Sequence, residues 1–308
     1  EAGSFKYKTK SGLELHYLHK KANSKNAIPL LLTHGWPGSV QEFLKIIPEL
    51  SAGKDGIEFD VVCPSIPGYG FSDKPFELGI NSEEVAKLEN ELMLALGYEK
   101  YIAQGGDWGS MITKWIAELF PENCVGIHLN LVIAFPPDGE DSMNGVTQEE
   151  LEGMKNIEKY QATGYGYFAI QSTKPQTIGY GLNDSPVGLA AWIIEKFHGW
   201  TKDDSDKLVV PLDDVLAIVS LYWHTESITS SARFYYENGP LGFTFNPVSQ
   251  PMAGAIFENE IARPPRVWAE KIYNIVQWNQ YPGGHFAALE SPKILAEDIF
   301  SFVAKLEI

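Results

Sequence analysis

The order of hydrophobic patterns constrains this chain more than any other feature. Strand-like and helix-like segments alternate from Gly12 to Ile133: "GLELHYLHK", "AIPLLLTHG", "FDVVCPSIPG", the helical "SEEVAKLENELMLALG", "KYIAQGG", the helical "SMITKWIAELF", and "CVGIHLNLVI". The runs "IPLLLT" and "VGIHLNLVI" are apolar almost throughout, as strands are when both faces of their sheet are covered. Strand followed by helix, repeated, predicts an α/β fold with a mostly parallel, doubly wound sheet.

From Asp138 to about Gly242 the pattern changes to helical and aromatic, with "EELEGMKNIEKYQ", "VGLAAWIIEKF", "PLDDVLAIVSLYW" and "SITSSARFYYEN". Alternation resumes with "QPMAGAIFENE" and "IYNIVQWNQYPGGHF", and the chain closes on the amphipathic "SPKILAEDIFSFVAKL". The expected organisation is a first core part over residues 1–137, a helical module over 138–242, and a second core part over 243–308. Hinges are expected at Pro136 to Asp138 and Pro240 to Pro247.

A formal charge of −16 argues against nucleic acid, whose phosphates require clustered Lys and Arg, and against an anionic membrane surface. A small neutral molecule is the default partner. No apolar run reaches the length of a membrane span and no signal peptide is visible. The chain opens at Glu1 without Met, so a preceding segment and the localisation stay open, with a soluble form expected; a homodimer is also left open. Cys63 and Cys124 lie in apolar strand-like runs and read as small buried hydrophobes, not as a disulfide.

Three stretches carry chemistry. In "GGDWG", Asp107 sits between Gly106 and Trp108, with Gly105 and Gly109 beyond, at a strand-to-helix junction. A turn that sharp admits only small flanking residues and thrusts its central side chain up at the mouth of the sheet. The alternative is that Asp107 caps the following helix. In "LLLTHGWPGS" a core strand ends in His34, Gly35, Trp36 and Pro37; the Trp36 and Trp108 backbone N–H groups are candidate halves of an oxyanion hole. His34 reads as a ring that orders this loop, or as a base. In "YPGGHFAALESP", His285 follows an apparent strand, where open α/β sheets place their sites. The order of elbow residue, acid and His matches a hydrolase triad, with Glu258 or Glu260 from "GAIFENE" as the acid.

Taken together, "HGWPGS", "PSIPGYGFSDKP", "QGGDWGS", "ARFYYEN" and "PGGHFAALESP" resemble the α/β-hydrolase-fold epoxide hydrolases, above all the microsomal-type branch, over nearly the whole chain. The resemblance implies an α/β-hydrolase fold with a helical lid and a reaction that adds water to an oxirane. Asp107 would form an alkyl ester, and His285 held by an acid would activate the water that cleaves it. A carboxylate suits attack at a saturated carbon because it is anionic at neutral pH. Matching the family's Phe-Pro-x-Glu pattern onto "FENE" selects Glu260, although Glu258 stands where the family has Pro. Two lid tyrosines protonate the epoxide oxygen in the family; the matches are Tyr235, with Tyr236 its neighbour, and Tyr167 rather than Tyr165.

The other readings are a haloalkane-type dehalogenase, which shares the Asp nucleophile, and a non-catalytic α/β-hydrolase-fold binding protein. Trp192, Phe197, Trp200, Tyr222 and Trp223 read as packing between module and core. "GYGFSD" and "GYGYFA" lack the third glycine of a dinucleotide fingerprint. No P-loop or metal-ligand spacing is present, and the implied chemistry needs no cofactor.

Overall fold

Apolar runs become strands in the computed structural model, which describes residues 2–137, 139, 142–201, 207–239 and 246–306. The first part contains β1 (Gly3–Lys8), β2 (Glu14–Lys20), β3 (Ile28–Thr33), α1 (Ile47–Ala52), β4 (Phe59–Pro64), α2 (Ser82–Ala95), β5 (Tyr101–Gly105), α3 (Trp108–Leu119) and β6 (Cys124–Leu129). Helices follow: α4 (Gln148–Lys159), α5 (Gly166–Thr173), α6 (Pro175–Asp184), α7 (Pro186–Gly199), α8 (Leu212–His224) and α9 (Ile228–Asn238). The last part is β7 (Val248–Asn259), α10 (Arg266–Ala269), β8 (Tyr273–Gly284), α11 (Ala287–Glu290) and α12 (Pro292–Val303).

Among the described residues eight strands form one sheet in the order β1-β2-β4-β3-β5-β6-β7-β8, parallel from β4 to β8. Successive residues of a strand face opposite sides, and here both sides are apolar. Leu31, Val62 and Ala103 pack with α2 and α3, while Leu30, Val61 and Ile102 pack with α1 and α12. This double coverage is why the strands carry apolar residues at consecutive positions.

Two strand expectations are revised. "GSFKYK" lacks an apolar run, yet it forms β1, pairing antiparallel with β2, which itself pairs antiparallel with β4. An edge strand with exposed faces needs no hydrophobic pattern, so nothing local announced it. β6 stops at Leu129 instead of running through "NLVI", because Asn130 turns to the elbow: its N–H donates to Gly105 O (3.2 Å) and its Oδ1 accepts from Gln104 (2.7 Å).

Helices α4 to α9 lie between β6 and β7 and are bonded to loops at the C-terminal ends of the strands. Tyr222 donates to Gly38 O (2.8 Å), Ser230 to Gly68 O (2.5 Å), and Arg233 to Pro75 O (2.9 Å). α4 opens with a capping box in which Thr147 and Glu150 satisfy one another's backbone N–H groups. The expected hinges include Asp138 and residues 240–245, which lie outside the described residues. Among the described residues no helix is long and apolar enough to cross a membrane.

A buried polar knot fixes β8 against its neighbours. Asp298 on α12 accepts from His128 Nε2 of β6 (2.9 Å), Asn279 Nδ2 (2.6 Å) and Tyr281 O–H (2.5 Å) of β8. Burial alone would raise its pKa, but the His128 contact and the other donors lower it from 3.8 to about 2. Asp298→Ala would strand these donors in the interior, and is expected to cost about 3–5 kcal/mol, read as a fall in the urea midpoint. The folded pKa lies below the unfolded one, so the wild-type margin over the variant should be complete above the unfolded value and shrink as pH falls toward 2.

Candidate active site

The turn after β5 is forced by close packing. A Cβ at Gly109 would come within 2.0 Å of Thr33 O, and one at Gly105 within 2.1 Å of Gly109 O. Only glycines let α3 start this close to β3. Between them Asp107 adopts φ 50° and ψ −130°, a conformation that costs a non-glycine residue about 1–3 kcal/mol. Its side chain makes no capping bond to α3; the helix-cap reading of Asp107 is thereby overturned. The carboxylate instead points across the sheet, where Oδ1 accepts the Trp36 N–H at 2.7 Å.

Trp36 is in reach because β3 and β5 are parallel neighbours in register from Leu30↔Ile102 to Thr33↔Gly105, so their following loops start level. Gly35 keeps the loop close, since a Cβ there would lie 2.1 Å from Asp107 Oδ1. His34 orders this loop: its Nδ1 donates to Gly35 O (3.0 Å) and its Nε2 accepts from the Ile66 N–H (3.2 Å). Burial pushes its pKa down to about 4, leaving a neutral ring with both nitrogens engaged. The Trp108 N–H is the first of α3 and so has no acceptor within the helix.

His285 and Glu260 meet by the same device on the other side. β7 and β8 are in register at Asn259↔Gly284, and the next residue of each is Glu260 and His285. Glu260 Oε1 lies 2.6 Å from His285 Nδ1 and accepts the Ile261 N–H at 2.7 Å. Glu258 is exposed, with its carbonyl taken by Asn156 and Arg263. His285 Nε2 is 3.3 Å from Asp107 Oδ2. Its loop is braced by Glu290, which accepts the Gly284 and Phe286 N–H groups at 3.0 Å each, and by the His285 N–H donating to Trp200 O at 2.8 Å. Burial alone would lower the His285 pKa, but the Glu260 and Asp107 carboxylates outweigh it and hold it well above 6.5.

In front of Asp107 lies an apolar cavity of about 210 Å3, lined by Leu131, Phe135, Tyr160, Tyr167, Phe168 and Tyr235 among others. Tyr167 stacks on Trp36 with centroids 5.1 Å apart, and Tyr235 stands edge-on to Trp108 at 4.9 Å. The Tyr167 hydroxyl is 3.0 Å from that of Tyr160. The Tyr235 hydroxyl is buried and makes no well-formed hydrogen bond among the described residues, although it interacts with the Tyr167 phenol; native proteins tend to complete such a group with a ligand or water. Burial first, then the neighbouring phenols and Asp107, push both phenols well above 10.

Tyr165 also lines this cavity but is 40 % exposed, while Tyr236 is 44 % exposed and outside the lining. None of Trp192, Phe197, Trp200, Tyr222 and Trp223 lines it; Phe197 stacks on Phe286 at 4.0 Å and Trp200 edges against His285 at 4.9 Å. Sequence reasoning overlooked Tyr160, which is one tyrosine among 14. It also overlooked Glu42, since "SVQE" reads as an ordinary helix start. Cys63 and Cys124 are separate buried thiols.

The alpha/beta hydrolase fold family model matches residues 28–208, and the model of the epoxide hydrolase N terminus matches residues 1–43. Epoxide hydrolase 1 of Sus scrofa is 41 % identical, over 98 % of this chain and 74 % of its own length. Juvenile hormone epoxide hydrolase 1 of Ctenocephalides felis is 41 % identical, over 96 % of this chain and 70 % of its own. Among solved structures, Aspergillus niger epoxide hydrolase superposes with a TM-score of 0.89 at 34 % identity, covering 98 % of this chain and 78 % of that one. The juvenile hormone epoxide hydrolase of the silkworm Bombyx mori gives 0.90 at 34 % identity with the same coverage. Sequence identity and overall superposition agree, and the chain belongs to the epoxide hydrolases of the α/β-hydrolase fold.

Proposed function

We propose that this epoxide hydrolase converts an uncharged, apolar oxirane to a vicinal diol through an alkyl ester of Asp107, with α4 to α9 serving as a lid that supplies two phenols. The observation that carries this reading is the meeting of Asp107 with the buried Tyr167 and Tyr235 phenols at one apolar cavity. A nucleophile from the end of β5 and an acid for the leaving oxygen from α5 or α9 then line the same cavity.

In the first half-reaction Asp107 Oδ2 bonds to an oxirane carbon while the C–O bond of the ring breaks. Oδ1 stays on the Trp36 N–H. The ring oxygen takes a proton from Tyr167 or Tyr235, which are protonated at neutral pH because burial holds their pKa values well above 10. Ester formation removes one of the two negative charges beside His285, so the imidazolium becomes more acidic. The proton it releases balances the one the phenol lost. Neutral His285, its tautomer fixed by Glu260, can then accept a proton from the water that attacks Asp107 Cγ. The oxyanion forms on Oδ1, beside the Trp36 and Trp108 N–H groups. Collapse breaks the ester bond, and the His285 proton goes to the departing diol oxygen.

Tyrosine acids favour an epoxide over a haloalkane, since a departing halide needs N–H donors and no proton. A full Asp107, His285 and Glu260 set favours catalysis over a binding role.

A single turnover in heavy-oxygen water should give diol whose new oxygen is unlabelled, because it comes from Asp107, and Asp107→Ala should lower diol formation by about four orders of magnitude or more; labelled first-turnover diol would overturn the ester route. Replacing Tyr167 and Tyr235 together by Phe should slow ester formation by about 100- to 10,000-fold in stopped-flow fluorescence. Acidification should suppress ester hydrolysis first, since a protonated His285 cannot take a proton from water, whereas ester formation should persist to lower pH; rapid-quench rates of each half-reaction across pH check this order.

A further inference from the structure

Asp107 is the common wall of two cavities. One is the apolar space in front of it. The other lies behind, about 20 Å3 in volume and bounded by His34, Trp36, Glu42, Asn130, Asp107 and His285. That volume admits a single water, and the lining supplies the several polar partners that a confined water requires. Asp107 and His285 are accounted for by the ester chemistry. Glu42 is not.

Glu42 belongs to the 3-10 turn Val40–Phe43 that follows "HGWPGS", and its carboxyl folds back over Gly38, where a Cβ would come within 1.4 Å of Oε1. The turn is held at its start: Ser39 Oγ accepts the Gln41 N–H (3.2 Å), and Tyr222 from α8 donates to Gly38 O (2.8 Å). Glu42 keeps some accessible surface, but the protein around it is dense enough to raise its carboxyl to about 8, with the Asp107 charge adding to burial and His285 opposing it. A neutral carboxyl offers a carbonyl acceptor without adding a further negative charge to the site.

We propose that Glu42 is a positioning residue for ester hydrolysis: with His285 Nε2 it holds the attacking water in the rear cavity, on the side of Asp107 away from the substrate. This rests on the Asp107 ester reading above. The water donates one hydrogen to His285 and the other to the Glu42 carboxyl, which turns its oxygen lone pair toward Asp107 Cγ. As the O–Cγ bond forms, the first proton passes to His285 Nε2, and Glu42 ends the cycle unchanged.

The test separates the two half-reactions by stopped-flow and rapid-quench mass spectrometry with an aryl oxirane. Glu42→Ala should leave ester formation within about twofold and slow ester hydrolysis by about 100-fold, so that protein carrying the substrate mass accumulates. Glu42→Gln should restore most of the hydrolysis rate, since its amide carbonyl accepts the same bond. Unchanged hydrolysis in Glu42→Ala, an equal fall in both half-reactions, or a Gln variant as slow as the Ala variant would overturn the role of Glu42. If the wild type itself forms no ester under these conditions, it is the Asp107 reading that fails.

Discussion

The carboxylate of Asp107 occupies a place that its own backbone does not favour, and the rest of the site is arranged around holding it there. With φ at 50° the residue is strained, and the compensation comes from packing: glycines at 105 and 109 let α3 press against β3. What this arrangement gains is direction. The side chain leaves the helix it begins, meets the Trp36 N–H, and stands between an apolar cavity and His285. A relaxed backbone at this point would return the carboxylate to the helix N-terminus, where it would be an ordinary cap.

Charge follows from that position. His285 lies buried between two carboxylates, and their attraction exceeds the desolvation that would otherwise keep the ring neutral. The balance is set to change when one carboxylate is consumed. In the proposed chemistry the same imidazole is therefore cationic while Asp107 is a nucleophile and basic once Asp107 is an ester. The tyrosines are governed by the opposite rule. Among the described residues that line the cavity there is no Lys or Arg to face the Tyr235 hydroxyl, burial resists its ionisation, and it remains a donor.

Much of this is legible in the order of the residues. Steric demands are local, so Gly105, Gly109 and the loop "HGWPGS" announce a sharp turn and a close approach in their own sequence. Strand ends followed by Asp, Glu and His are legible for the same reason. Less local matters are not. β1 is an edge strand and needs no apolar pattern. A helix cap at Asp107 is a fair expectation from residue type, and the crossing of α3 over β3 decides otherwise. Glu42 and Tyr160 belong to the lining of cavities, and a cavity is made by elements far apart in the chain.

The sequence by itself determined the alternation of strands and helices, the interruption by a helical segment, and which residue types stand at the strand ends, because hydrophobic period and glycine sterics act over a few residues. Tertiary structure decided which of these residues meet. Glu260 rather than Glu258 reaches His285 because β7 and β8 pair in register at Asn259 and Gly284. Trp36 reaches Asp107 because β3 lies beside β5. Tyr167 and Tyr235 reach the cavity because α5 and α9 pack over the strand ends. Such contacts depend on strand order and register, which are set by the packing of the whole sheet.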